Sequence, residues 1–381
     1  MVARPQHTEA VRTALRRAPI VAVRGPRQSG KTTLARQLTA GLDAVCLDLE
    51  SPSDLARVAN PQLYLGALEG LVVIDGVQAR PDLFPLLRVL ADRSHAPARL
   101  LILGSAWPDI TRHASESLAG RIEFVEFGGF DLSEVGVQAS ERLWLRGGFP
   151  RSFLAASDED SVAWRESLVR TFLERDIPQL GISIPAVTLK RFWTMLAHWH
   201  GQLWNASELG RALGFSDKTT RSHLDQLTGT YLVRRLPPWH ANLAKRQVRA
   251  PKVYLRDSGL LHTLLALPDR DALFAHPKVG ASWEGFCPEQ VPGAVQPSEA
   301  YFRATHGAAE IDLVFPWRGR LQGVEVRWRE QPRMTRSLHT AITDLDLEHV
   351  WLVYPGDERF PLHERVTALP AAQVPTLAQV L

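Results

Sequence analysis

The segment Gly25-Pro26-Arg27-Gln28-Ser29-Gly30-Lys31-Thr32 constrains this chain more than any other. Its glycines, lysine and hydroxyl residue stand in the spacing G-x-x-x-x-G-K-[ST]. The apolar run Ile20-Val21-Ala22-Val23 before it reads as a buried strand, and Lys31 to Leu38 after it reads as a helix. Strand, glycine-bearing loop and helix start together make a cradle for phosphate. Backbone N–H groups curl around the oxygens, and the helix N-terminus adds partial positive charge. Residues Gly25 through Thr33 are thus the expected nucleotide contacts, Thr33 included. Lys31 would reach the β- and γ-phosphates and Thr32 would sit on Mg2+. The expected cofactors are ATP and Mg2+.

A chain of 381 residues is too long for one ordinary core, which predicts two or three domains. Its 45% hydrophobic and 22% charged residues are those of a folded soluble protein. The apolar runs are strand-length, so no membrane span is expected. No charged segment followed by an apolar one opens the chain, which predicts a cytoplasmic location. Cys46 and Cys287 are too far apart in sequence for a metal spacing, and Cys46, in an apolar run, reads as a core thiol. Arginine greatly outnumbers lysine; that suits phosphate contacts, and a GC-rich coding sequence gives the same bias.

Taken in order, residues 8–18 read as an amphipathic helix and Ala44-Val45-Cys46-Leu47 as a second strand ending near Asp48 and Glu50. Leu71-Val72-Val73-Ile74-Asp75 is a strand ending in an acid, the form expected of a Mg2+-holding Walker B aspartate. Pro81 to Arg93 reads as a helix, Arg99 to Leu103 as a strand running into Gly104-Ser105, and Ile122 to Phe127 as another strand. Ser105 would face the γ-phosphate. Alternating strands and helices predict a parallel sheet covered on both faces, with its ligand at the carboxyl ends of the strands.

Farther on stand Ser117–Arg121, Gly147-Gly148-Phe149-Pro150, Leu173-Glu174-Arg175-Asp176, Lys252-Val253-Tyr254 and Asp257-Ser258-Gly259-Leu260. With the phosphate loop and Asp75-Gly76-Val77-Gln78, these segments resemble a family of prokaryotic AAA-plus ATPases. The C-terminal half of that family is a domain of unknown function with a restriction-endonuclease-like core. The resemblance spans nearly the whole chain and implies ATP binding, with homo-oligomeric assembly as a further expectation. Arg121 is the candidate for contacting the γ-phosphate, in cis or across a subunit interface, or else a surface arginine. In the family a glutamate that orients the hydrolytic water follows the Walker B aspartate; here that position is Gly76. Loss of that group slows hydrolysis more than binding. If the second strand lies beside the Walker B strand, Asp48 or Glu50 could substitute.

Between Asn205 and Leu236 a short helix, the turn Gly214-Phe215-Ser216, a helix from Asp217 to Leu227 and the strand Tyr231-Leu232-Val233 follow one another. That is a helix-turn-helix followed by a wing. Lys218, Thr219, Thr220, Arg221 and His223 on the second helix could meet DNA phosphates and bases; protein contact or packing is the alternative. Lys245, Arg246, Arg249 and Lys252 form a basic cluster that either follows a phosphate backbone or is a solvated loop.

The last third offers a helix through Trp283-Glu284-Gly285-Phe286 and two strands, Glu310–Val314 and Gly323–Arg327. Strand period puts Glu310 with Asp312, and Glu325 with Arg327, on common faces. This resembles the PD-(D/E)xK nuclease core. The resemblance makes Asp312 and Glu325 the metal-binding acids, Glu284 the helical glutamate and Arg327 the occupant of the lysine position. Arginine stays protonated, which argues against cleavage. A salt-bridged hairpin would look the same.

The resulting expectation is an α/β protein in three parts. A P-loop AAA-plus parallel sheet domain fills 1–135, a helical and winged-helix region 136–253, and a restriction-endonuclease-like α/β domain 254–381. Nucleotide state would control binding of DNA or a protein partner. The alternatives are an ATP-gated metal-dependent nuclease and a nucleotide-dependent scaffold.

Overall fold

The apolar runs of the first third form five strands: β1 (Ile20–Gly25), β2 (Ala44–Asp48), β3 (Leu71–Asp75), β4 (Arg99–Ser105) and β5 (Ile122–Glu126). They lie in the order β2-β3-β4-β1-β5, and every neighbouring pair is parallel. The computed structural model describes residues 2–93, 98–105, 118–179, 184–239, 250–297, 299–304 and 310–381. They divide into two compact units, Met1–Gly129 with Gly229–Tyr231, and Phe130–Thr228 with Leu232–Leu381.

In the first unit both faces of the sheet are covered, which is why its central strands are continuously apolar rather than alternating. Ile20, Ala22, Val72, Ile74, Leu100 and Ile102 point into one core, which the helix Phe84–Ala91 closes with Phe84, Leu87 and Leu90. Their sequence neighbours Val21, Val23, Val73, Leu101 and Leu103 point into the other, against α1 (Pro5–Arg17) and α2 (Lys31–Thr39). α1 starts earlier than its apolar pattern suggests, because a proline in its first turn presets the helical φ. Pro81–Leu83 forms a tight 3-10 turn ahead of the helix at Phe84, so the expected single helix is two pieces. Cys46 corrects the sequence reading. β2 is an edge strand of the sheet, and the thiol is exposed.

The second unit takes in 254–381 and all of 136–253 except residues 229–231. Within it the helices Ala206–Leu213 and Asp217–Gly229 approach closely at Gly210, where a Cβ would stand 2.8 Å from the Phe215 carbonyl oxygen. Ser216 caps the second of these helices by accepting the Thr219 N–H at 3.1 Å. Before the pair come the helix Ala186–His198 and β6 (Gln202–Leu203); after it come β7 (Val233–Leu236) and β8 (Lys252–Leu255). The three strands form an antiparallel sheet in the order β6-β8-β7. Tyr231, expected to open the last helix-following strand, has φ +59 and belongs to the turn before β7.

The remaining strands are β9 (Tyr301–Ala304), β10 (Glu310–Trp317), β11 (Arg320–Val326), β12 (His349–Tyr354), β13 (Phe360–His363) and β14 (Val366–Pro370). They form one mixed sheet in the order β13-β14-β12-β11-β10-β9. The helix Arg336–Leu345 lays Leu338, Ala341, Ile342 and Leu345 on one face, against Ile311, Val314, Val350 and Leu352. The helix Val279–Val295 packs against β11.

Candidate nucleotide site

Register brings the sequence-predicted groups of the first unit to one edge of the sheet. Gly25 ends β1 opposite Ser105 of β4, and Asp75 ends β3 opposite Leu103 on one side and Asp48 on the other. The Ser105 side chain lies outside the described residues; its backbone stands at the carboxyl end of β4. The loop from Pro26 to Ser29 then turns into α2 through Gly30, whose φ of +100 is open to glycine alone among common residues. Gln28 also has a positive φ, +63. Gly25 is required for a different reason: a Cβ there would sit 1.8 Å from the Phe127 carbonyl oxygen.

Lys31 is only 7% exposed, and its ammonium donates to the carbonyls of Gly25 at 3.0 Å and Pro26 at 2.7 Å. Burial lowers its pKa to about 8, against the opposing pull of Asp75. The Thr32 hydroxyl donates to Asp75 Oδ2 at 2.5 Å. Burial raises the Asp75 pKa, while the Thr32 hydrogen bond and Lys31 oppose the rise. A buried cation at the start of a helix suits an anion, and a half-desolvated carboxylate beside a hydroxyl suits a hard cation.

Two further groups shape this site. Arg4, undetected in the sequence, lies 3.9 Å over the Phe127 ring and donates to the carbonyls of Ser29, Gly128 and Gly129. It ties the phosphate loop to the end of β5, and nothing in the local sequence around it signals that. The second is Glu50. Its carboxylate accepts from Arg27 and from the Gln78 amide, each at 3.2 Å.

Arg121 is a correction. It immediately precedes β5, and its carbonyl accepts from the Ile20 N–H at the amino end of β1. It therefore sits at the end of the sheet opposite the phosphate loop. Its guanidinium grips Asp92 through two bonds of 2.6 and 2.9 Å. A contact with phosphate in the same chain is excluded.

In the second unit, β10, β11 and the helix Val279–Val295 bring Glu310, Asp312, Glu325, Arg327 and Glu284 together, as strand period implied. They arrive with a cation that the sequence placed elsewhere. Lys252 on β8 is buried, and its ammonium reaches Glu310 at 2.5 Å and Asp312 at 3.2 Å. Burial opposes its charge, but Asp312 and Glu310 outweigh that and raise its pKa. Lys252 is thus unavailable to a phosphate backbone. Arg327 pairs with Glu325, and with Glu284 at 3.9 Å. Burial, reinforced by Asp312, pushes the Glu325 carboxyl well up and that of Glu284 to about 7. Among the described residues no three histidine, cysteine or acidic side chains form a metal-holding group. In this structure Glu284, Asp312 and Glu325 stand as an ion-paired cluster, with Lys252 against Asp312 and Arg327 against Glu325 and Glu284.

The helix Asp217–Gly229 divides the DNA candidates. Lys218 and Arg221 are exposed. Thr220 is fully buried, and His223 packs edge-on against Phe192 and Phe215, so neither is offered to solvent. Lys245, Arg246 and Arg249 lie outside the described residues. Among the described residues no helix is long and apolar enough to cross a membrane.

Known proteins place this geometry. A family profile described as "AAA domain" matches residues 17–136. Profiles for domains of unknown function, DUF8612 and DUF4143, match residues 137–271 and 279–374. The uncharacterized proteins Rv2008c of Mycobacterium tuberculosis and Mb2031c of Mycobacterium bovis are each 52% identical over 370 residues, covering 97% of this chain and 84% of theirs. The chain belongs to their family. Its first domain is an AAA-type, nucleotide-binding one. Among solved structures, the Walker-type ATPase PABY2304 of Pyrococcus abyssi superposes with a TM-score of 0.52 at 14% identity, covering 70% of this chain and 96% of that one. At that identity the likeness is one of fold. For this AAA-domain family member, the phosphate loop, Lys31, Thr32 and Asp75 are the groups that the fold assembles at one sheet edge.

Proposed function

We propose that this protein is an ATP-binding switch whose nucleotide state controls binding of DNA through its second unit. The observation that carries the reading is the joint placement of Lys31, Thr32 and Asp75 behind the phosphate loop, with Gly76 following the aspartate. Lys31 would exchange its two carbonyl partners for phosphate oxygens, whose negative charge offsets the burial that disfavours its ammonium. Backbone N–H groups from Gln28 to Thr32 would hold the remaining oxygens. The Thr32 hydroxyl and Asp75 carboxylate would hold Mg2+, which supplies charge neutralisation for the β- and γ-phosphates.

The helix pair Ala206–Leu213 and Asp217–Gly229, with a sheet ordered β6-β8-β7, supports reading this segment as a winged helix. Exposed Lys218 and Arg221 favour a polyanion as its ligand. Lys245 and Arg246, which follow β7 in sequence, are proposed as further phosphate contacts.

The test combines two measurements. ATP binding by wild type and its loss in Lys31→Ala examines the switch. Binding of duplex DNA at two salt concentrations, with and without ATP, examines the output. The reading expects affinity for DNA to fall with salt, to depend on nucleotide, and to drop in the Lys218→Ala/Arg221→Ala variant. DNA affinity indifferent to nucleotide, with ATP demonstrably bound, would refute the coupling.

A further inference from the structure

Hydrolysis of a γ-phosphate needs a group that orients the attacking water, and β3 supplies none, because Gly76 follows Asp75. We infer that Glu50, on the loop after β2, is the water-orienting carboxylate of this site. The inference rests on the nucleotide reading and extends it from binding to turnover.

Three contacts place Glu50 there. The Leu49 N–H donates to the Asp75 carbonyl at 2.9 Å, so the chain beyond β2 stays fastened to the end of β3. A Cβ on Gly76 would stand 3.2 Å from Glu50 Cγ, which means the Glu50 side chain passes over the position where β3 lacks one. The carboxylate is then held from two sides by Arg27 of the phosphate loop and by Gln78, both at 3.2 Å. It keeps 47% of its side-chain surface open to water, so it can take a proton from the site and pass it on.

Asp48, the other acid at this edge, is engaged differently. Its Oδ1 accepts the Glu50 N–H at 2.9 Å, an acid-capped turn that holds the Glu50 backbone in place. Asp48 is therefore a positioning residue for Glu50. In the reaction the water oxygen bonds to the γ-phosphorus as the bond from that phosphorus to the bridging oxygen breaks. The electron pair of that bond stays with the β-phosphate of ADP. The proton of the water passes to the Glu50 carboxylate and from there to solvent, leaving ADP and inorganic phosphate.

The decisive experiment measures equilibrium binding of ATP and single-turnover hydrolysis in the full-length protein carrying Glu50→Gln, Asp48→Ala or Asp48→Asn. Glutamine keeps the size and the hydrogen bonds to Arg27 and Gln78 but removes the base. Glu50→Gln should bind ATP within about twofold of wild type and lose about 10²–10⁴ of the single-turnover rate. Asp48→Ala removes the acceptor for the Glu50 N–H and should lower the single-turnover rate about tenfold with ATP still bound, a loss that Asp48→Asn, which keeps an acceptor oxygen, should largely restore. Glu50→Asp, which shortens the side chain but keeps the carboxylate, should recover part of the rate. The assignment is overturned if Glu50→Gln hydrolyses bound ATP at the wild-type rate, or if wild type binds ATP and shows no turnover. Failure of wild type to bind ATP would instead overturn the nucleotide reading itself.

Discussion

Nucleotide affinity should weaken with rising pH, because Lys31 starts from a depressed pKa of about 8 in the free protein. Its burial removes water from the ammonium, and two backbone carbonyls replace that water only in part. Bound phosphate supplies the missing negative charge, so the pKa in the complex rises toward the ordinary lysine value of 10.5. The sign follows directly. Below about pH 8 the lysine is protonated with or without nucleotide, and binding keeps its full strength. Between the two pKa values, binding must first take up a proton, and affinity falls. A shift from about 8 to about 10.5 weakens binding about 25-fold between about pH 7 and about pH 9.5, or about 2 kcal/mol. Calorimetric or fluorescence titration with ATP at constant Mg2+ reads this directly, since the nucleotide phosphates are ionised throughout the interval. Lys31→Arg is the control, because a guanidinium stays charged across the range. A flat profile in wild type, or the same slope in Lys31→Arg, would refute the argument.

Three other outcomes follow from the packing. Gly25→Ala should destabilise by about 1–3 kcal/mol in urea unfolding, because its Cβ would meet the Phe127 carbonyl oxygen at 1.8 Å and force β1 from β5. Lys252→Met should cost about 3–5 kcal/mol near neutral pH, since the buried Asp312 carboxylate would lose its lysine partner. A variant as stable as wild type at pH 7 would show the cluster to be dispensable. Arg121→Ala should leave ATP affinity unchanged within about twofold, because five strand residues at about 3.3 Å each separate the amino end of β1 from the phosphate loop. A large loss in binding would contradict that placement.

Some of this architecture was legible because it is local. The phosphate loop, the apolar strands β1, β3 and β4, and the acid at the end of β3 are written in contiguous residues whose spacing has one physical reading. The serine cap at Ser216 and the turn before it belong to the same class, since a side chain reaching three residues along the chain needs no knowledge of the rest. Even the shared faces of Glu310 with Asp312 and Glu325 with Arg327 follow from a strand's two-residue period.

What failed did so where a residue's meaning depends on which strand lies next to it. Cys46 sits in an apolar run, yet β2 is an edge and the thiol faces outward. Lys252 looked like one member of a basic stretch, but β8 carries it to two acids some sixty residues away in sequence. His223 and Thr220 have the chemistry of a nucleic-acid contact and point into the packing between helices. Arg121 follows a glycine in a familiar segment, and only the parallel pairing of β1 with β5 shows which end of the sheet it occupies.

The sequence by itself determined that a phosphate cradle opens this chain, because backbone geometry, glycine freedom and a helix start are properties of neighbouring residues. The tertiary structure alone decided which distant groups complete that cradle. Sheet order placed β2 against β3 and so brought Glu50 over the bare position at Gly76, a meeting that no local pattern encodes.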